Sequence, residues 1–425
     1  MFFRCTASQL RGAAAIPGSK SHTIRAVVIA ALADGESVIE APLLSADAQS
    51  AAACAAQLGA EVDMSDGGVW RVRGFGSVPR PKSDVLDTGN SGTTMNILLG
   101  ISALLPAGRE ITLTGDHQVQ RRPNGPLAAA LNNLGASVVS ERGDGCPPFR
   151  IRGTLKGGFT TLDAPTSQYL TSLLLACPLA EGDTEIELTR LNEASYAQMT
   201  LDWLAFQGIR TERDGWKRVR IPGRQHYRPF TRRIPADFSS ASFFLCAGAI
   251  PGNEVLCRGL AMDDCQGAKA VVGYLRQMGA EITLGPDGVR VRGGRLRGIE
   301  IDMDETPDAL PVMAVLGCFA EGTTVLHNVA HARIKETDRI AVMAAELRKM
   351  GARIEERPDG LVIHRSALHG AAVEGHGDHR VVMSLALAGM SCPGETTVTT
   401  AEAAGVTFPN YAELMRNLGG KLAAE

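Results

Sequence analysis

Six apolar helical segments recur along the chain. Each ends at a glycine and gives way to a β-prone stretch: Gly35 before Val38-Ile39, Gly108 before Ile111-Thr112-Leu113, Gly182 before Ile186, Gly252 before Val255-Leu256, Gly322 before Val325-Leu326 and Gly394 before Val398. These glycines stand 70–74 residues apart. A second, amphipathic helix follows in each copy, closed by Gly59, Gly135, Gly208, Gly279, Gly351 and Gly419. Beyond it come two short strands around a turn, clearest where Pro286-Asp287-Gly288 separates Ala280–Leu284 from Val289–Val291. The pattern predicts six copies of a helix, strand, helix, strand, strand unit. The period is too long for a thin stacking repeat, so each copy is an αβ subassembly of its own.

The sixth copy runs only to Leu418-Gly419-Gly420-Lys421, so its final strands are expected from the residues before Gly18, which brings the chain ends together. Three copies per domain place one break near Arg232-Arg233-Ile234-Pro235 and the other crossover at Pro17-Gly18. The expected organisation is an inserted domain of residues 19–234 and a second domain of residues 1–18 plus 235–425. A length of 425 residues with 44% hydrophobic content is enough for two cores.

Composition narrows the function classes. A net charge of −3 argues against general affinity for nucleic acid or an anionic membrane, so any anion site must be local. The one basic run, Arg213 to Arg233, holds eight Lys/Arg around Trp216, Tyr227 and Phe230. It reads as a solvated strand pair and linker rather than a nucleic-acid patch. Nine cysteines without a CxxC pair read as reduced, mostly buried thiols of a cytoplasmic protein. With no secretory core and no membrane-length apolar run, a soluble, unprocessed, monomeric chain is expected.

The chemistry concentrates where the six apolar helices begin. The first start is Gly18-Ser19-Lys20-Ser21-His22-Thr23-Ile24-Arg25, and the second is Asp87-Thr88-Gly89-Asn90-Ser91-Gly92-Thr93-Thr94. The others are Ala164-Pro165-Thr166-Ser167-Gln168, Pro235-Ala236-Asp237-Phe238-Ser239-Ser240, Glu305-Thr306-Pro307-Asp308 and Gly377-Asp378-His379-Arg380. Capping accounts for any one of them, whereas six at equivalent places point to a shared use. Three helix dipoles per domain aimed into a cleft would favour an anionic ligand held by both halves. A further charged segment, His331-Ala332-Arg333-Ile334-Lys335-Glu336-Thr337-Asp338-Arg339, can face the same cleft.

Taken in order, these motifs, with Arg121-Arg122-Pro123 and Thr407-Phe408-Pro409, resemble the 5-enolpyruvylshikimate-3-phosphate synthases, enolpyruvyl transferases of the shikimate pathway of aromatic amino-acid biosynthesis. The resemblance spans essentially the whole chain. It implies a two-domain inverted α/β barrel with helices inside and sheets outside, and a cleft that closes on substrate. It also implies transfer of the enolpyruvyl group of phosphoenolpyruvate to the 5-hydroxyl of shikimate 3-phosphate, without metal or organic cofactor. By that resemblance Lys20, Asn90, Gly92, Arg122, Gln168, Arg339 and Arg380 bind phosphoenolpyruvate, with Arg339 and Arg380 on its carboxylate. Ser21, Arg25, Thr166, Ser167, Gln168, Tyr196, Asp308 and Lys335 bind shikimate 3-phosphate. Asp308 is the expected base at the 5-hydroxyl, with Glu336 and Lys20 as candidates for the proton given to the methylene. Neighbouring cations keep each carboxylate ionised, so Glu336 takes up its proton only in the closed, charge-balanced complex.

The chain departs from the family pattern at Glu193, where many relatives carry serine beside the shikimate phosphate. Either Glu193 points away and Ser195 substitutes, or the acceptor differs. Asn96 stands for a frequent arginine, Asn124 for an apolar residue, His331 for an asparagine and Val406 for a lysine. A P-loop fails on spacing, since Ser19 separates Gly18 from Lys20. His376 and His379 lack a third metal ligand. The remaining alternatives are a transferase using UDP-N-acetylglucosamine and a non-catalytic ligand-binding paralogue.

Overall fold

The computed structural model describes residues 1–425. Its twelve α-helices are α1 (Lys20–Leu32), α2 (Ala46–Gln57), α3 (Gly92–Ser102), α4 (Gly125–Asn133), α5 (Ser167–Ala176), α6 (Ala194–Gln207), α7 (Phe238–Ala249), α8 (Ala270–Met278), α9 (Leu310–Phe319), α10 (Arg339–Lys349), α11 (His379–Met390) and α12 (Tyr411–Asn417). Odd and even members differ in kind. All twelve residues of α7 and of α11 are buried, whereas α8 buries only Val271, Val272, Leu275 and Met278, one stripe at helical spacing.

A helix apolar on every side must be enclosed, and small residues let these ones pack closely. A Cβ on Gly100 of α3 would lie 2.6 Å from Ser172 Oγ of α5, and one on Gly248 of α7 would lie 2.9 Å from the Val291 carbonyl. Any larger residue at either place would push elements apart.

The chain divides into two compact units: Lys20–Ile234, the N-terminal unit, and Met1–Ser19 with Pro235–Glu425, the C-terminal unit. Each contains three four-stranded sheets built to one plan. The strand after the buried helix lies second. In the second copy this is Glu110–Thr114, with Val85–Asp87 parallel on one side and Phe149–Arg152 antiparallel on the other, followed outward by Ser137–Ser140. Strands alternate inward and outward: Trp70 and Val72 are buried while Arg71 and Arg73 point to solvent and meet Glu36. Three buried helices enclosed by three half-exposed sheets make each unit an inverted α/β barrel.

Two details differ from the sequence reading. The repeat has a sixth element, an edge strand parallel to the strand that follows each buried helix. Pieces such as Val85–Asp87 and Ala372–Val373 are too short to carry a period-2 signal, and in the first and fourth copies the strand comes from elsewhere in the unit: Thr231–Arg233 and Arg11–Ala15. The sixth copy also makes one of its final strands itself. Lys421–Ala424 pairs with Phe3–Thr6, so the N-terminus supplies one strand to that sheet rather than two. Only Leu422 of Lys421–Ala424 is buried, too little pattern to read as a strand. The chain ends meet through Phe2 N–H to Glu425 C=O at 2.8 Å.

The basic run forms the strands Glu212–Asp214, Arg218–Ile221 and Thr231–Arg233. Arg218 pairs with Glu185 and Glu187, and Arg220 with Asp183, so its charge is offset by facing carboxylates.

Candidate functional site

In the C-terminal unit the site is built around Arg339, the first residue of α10 and 1% exposed. Asp338 caps that helix by accepting from Ala341 N–H at 3.0 Å, and Arg333 holds Asp338 at 2.6 Å, which fixes where Arg339 starts. The Arg339 fork then meets three carboxylates. Nε lies 2.8 Å from Asp378 Oδ2, Nη1 2.7 Å from Asp308 Oδ1 and Nη2 2.5 Å from Glu336 Oε2. Burial pulls the Arg339 pKa down, but Asp378, Glu336 and Asp308 outweigh it and hold the group well above its usual range. Burial likewise raises the Asp378 carboxyl, yet Arg339 outweighs it and the net shift is downward.

Asp378 is also the N-cap of α11, accepting from Arg380 N–H at 2.8 Å. Arg380 turns back to Asp308 Oδ2 at 2.8 Å and donates to Ser239 Oγ at 2.8 Å. Asp308, on the short turn Pro307–Ala309 that leads into α9, therefore lies between two guanidinium groups. Buried Arg380 Nε makes no hydrogen bond. Lys335 is half-buried just before Glu336, His331 is buried, and Val406 ends the turn Ala401–Val406. The His376–His379 segment is drawn to separate partners, His376 to Glu346 at 3.0 Å and Asp378 to Arg339.

In the N-terminal unit the corresponding residues lie at the starts of α1, α3 and α5. Lys20 opens α1 and pairs with Asp47 at 2.9 Å. Arg25, one turn on and 2% exposed, donates to Thr200 Oγ1 at 2.9 Å, Thr171 Oγ1 at 3.1 Å, and the carbonyls of Ser21 and Tyr196 at 2.9 and 3.0 Å. Asn90 donates to Asp116 and Gln118. Ser91 caps α3, and Gly92 lies so close to Arg122 that a Cβ there would be 2.2 Å from Nη1. Thr166 caps α5. Gln168 donates to Thr93 Oγ1 at 3.3 Å, and the neighbouring Ser167 Oγ is buried without a hydrogen-bond partner.

Glu193 does not turn out to solvent. It points inward, 3% exposed, with Oε2 accepting from Thr166 Oγ1 at 3.0 Å. A left-handed backbone, φ +56°, turns it there at the start of α6. The Thr166 hydroxyl is thereby engaged, with its proton toward Glu193.

Sequence reasoning missed the partners. Asp47 reads as an ordinary first-turn acid of α2, and Thr171 and Thr200 as polar residues inside apolar helices. Asp378 was legible as part of a motif, and nothing in its spacing announced a bond to Arg339.

Buried arginines, a carboxylate between two of them and hydroxyl-rich helix starts on inverted α/β barrels suit an enzyme that handles small anions. The chain belongs to the EPSP synthase (3-phosphoshikimate 1-carboxyvinyltransferase) family, whose model matches residues 5–415. It is 49% identical over 422 residues to the 3-phosphoshikimate 1-carboxyvinyltransferase of Ruminiclostridium cellulolyticum, covering 99% of each chain. It is 40% identical to that of Methanococcus aeolicus over 423 residues, covering 97% of this chain and 98% of the other. An EPSP synthase structure from Acinetobacter baumannii superposes with a TM-score of 0.85 at 27% identity, covering 100% of this chain and 99% of that one.

Proposed function

We infer that this chain transfers the enolpyruvyl group of phosphoenolpyruvate to the 5-hydroxyl of shikimate 3-phosphate and releases phosphate, a step of aromatic amino-acid biosynthesis. What carries the reading is the match over nearly the whole length to relatives named for that transfer. Their name specifies 3-phosphoshikimate as acceptor, which disfavours the UDP-sugar alternative and makes a changed acceptor an unnecessary account of Glu193.

The reaction is an addition followed by an elimination. The 5-hydroxyl oxygen bonds to C2 of phosphoenolpyruvate while its proton passes to Asp308 and the methylene carbon gains a proton from Glu336 or Lys20. Loss of a proton from the new methyl group then expels phosphate and restores the vinyl group. Asp308 suits the base because its two guanidinium neighbours aim its carboxylate. Glu336, 2.5 Å from Arg339 Nη2, loses part of that contact once the phosphoenolpyruvate carboxylate competes for Arg339 and Arg380, which favours its protonated, proton-donating form.

Lys20, Arg122 and Gln168 are assigned to the phosphoenolpyruvate phosphate, with Asn90 and Gly92 shaping its place. The partnerless Ser167 hydroxyl supports assigning it, with Ser21, Arg25, Tyr196 and Lys335, to shikimate 3-phosphate. All nine cysteines are free, and burial pushes the thiols of Cys5, Cys54, Cys177 and Cys318 up to about 12, which fits a reducing, cytoplasmic setting. The test is phosphate release from phosphoenolpyruvate with and without shikimate 3-phosphate. Release that depends on shikimate 3-phosphate is expected, and none with it added, or release only with UDP-N-acetylglucosamine, would sink the reading.

A further inference from the structure

Beside Gly92 and Arg122, three amides form a chain whose direction is dictated by one backbone carbonyl. Asn96, on α3 and 7% exposed, donates from Nδ2 to the Gly92 carbonyl at 3.0 Å and to Gln168 Oε1 at 2.7 Å. A carbonyl only accepts, so the Gly92 bond decides which end of Asn96 is the NH2 group. That NH2 group meets Gln168 at its oxygen, and Gln168 must then turn its own NH2 the other way, where one hydrogen goes to Thr93 Oγ1 at 3.3 Å. On the far side Asn96 Oδ1 accepts from Nδ2 of Asn124, which is 1% exposed.

We propose that Asn96 and Asn124 are positioning residues that hold Gln168 with its NH2 group presented to the phosphate of phosphoenolpyruvate. The proposal rests on the assignment of Gln168 to that phosphate. A glutamine amide has two nearly isosteric orientations, and toward an anion they have opposite sign, since the NH2 attracts and the oxygen repels. Left to itself the side chain would divide between them, and each binding event would have to select one. The chain makes the selection in advance. It also leaves buried Asn124 Oδ1 without a hydrogen bond, a cost that stability alone does not explain.

Steady-state kinetics on the full chain test this with Asn96→Leu. The KM for phosphoenolpyruvate is expected to rise about tenfold, and the inhibition constant of inorganic phosphate with it, while kcat stays within about twofold. Thermal unfolding should stay within about 3 °C. Because the effect passes through Gln168, Asn96→Leu should add nothing in a Gln168→Leu background. An unchanged KM, or the same increment in both backgrounds, overturns the relay. Should Asn96→Leu not fold, Asn124→Leu takes its place with an expected rise of about threefold, and no rise overturns the relay equally. Failures of the underlying reading look different. A wild type that releases no phosphate sinks the function, and a Gln168→Leu enzyme with normal KM sinks the Gln168 assignment.

Discussion

Arg339 of the C-terminal unit and Arg25 of the N-terminal unit are both almost completely buried, and the groups they donate to differ in kind. Arg339 in the C-terminal unit is surrounded by Asp308, Glu336 and Asp378. Arg25 in the N-terminal unit donates to hydroxyls and backbone carbonyls, which direct its guanidinium group. A guanidinium set among carboxylates is part of a charge-balanced network in which protons can be exchanged and stored. One that donates to hydroxyls and carbonyls is held in a fixed orientation by them. The proposed roles divide along the same line, acid–base chemistry in the C-terminal cluster and phosphate binding in the N-terminal one. The predictions below test that division.

The largest effect is expected at Asp308. Asp308→Asn removes the base and leaves the Arg339 and Arg380 donors facing one oxygen in place of a carboxylate. Turnover measured by phosphate release should fall by about 10²–10⁴-fold, the usual worth of a positioned base. If kcat is unchanged, proton transfer does not reside in the C-terminal cluster and the division fails.

Next in size is stability. Asp378 has its carboxyl lowered by Arg339, so its contribution is fully present above the ordinary carboxylate range and is lost as pH falls through its depressed folded value. Asp378→Asn removes that contribution at neutral pH and should cost about 3 kcal/mol, as for other broken buried pairs. The three tryptophans, Trp70, Trp203 and Trp216, all lie in the N-terminal unit. Acid titration should therefore show loss of far-UV circular dichroism before the tryptophan emission shifts, and in Asp378→Asn the first phase should move to higher pH. Coincident transitions in both chains would show that the carboxylate network does not set acid stability.

A smaller change is expected from Gly92→Ala. The new Cβ would stand 2.2 Å from Arg122 Nη1, the far end of a flexible side chain, so the arginine yields and the fold survives. Its hydrogen bonds to a bound phosphate are then misplaced. The KM for phosphoenolpyruvate should rise about tenfold, about 1.4 kcal/mol, with thermal stability little altered. An unaltered KM would take Arg122 out of the phosphate site.

What was legible in the sequence follows the same lines. The repeat was readable because each copy places an all-apolar helix, a glycine and an amphipathic helix at fixed intervals, and all six glycines closing the second helix have positive φ. Leading strands such as Val85–Asp87 and Ala372–Val373 were not readable, because two or three residues at a sheet edge bury too little to pattern, whereas Gly158–Ala164 alternates over seven residues and was missed despite its signal. Cationic helix starts could be found at Lys20 and Arg25, and the Gly92 position by its lack of a side chain. Bonds between distant segments, such as Lys20 to Asp47 or Arg339 to Asp378, depend on how the copies pack around one another, which no local period encodes.

Glu193 gives the finest test of the division, since it puts a carboxylate on the phosphate-holding side. Its Oε2 accepts from Thr166 Oγ1 at 3.0 Å, so Glu193→Gln retains an acceptor for that hydroxyl while removing the charge. If the N-terminal cluster serves to hold phosphate, one negative charge fewer should lower the KM for shikimate 3-phosphate by about threefold, the size of a screened charge–charge term. The gain should shrink as salt is raised, and kcat should be unaffected. A KM that rises instead would mean that the carboxylate organises Thr166 for the acceptor, and that the N-terminal cluster, like the C-terminal one, depends on a charge-balanced network.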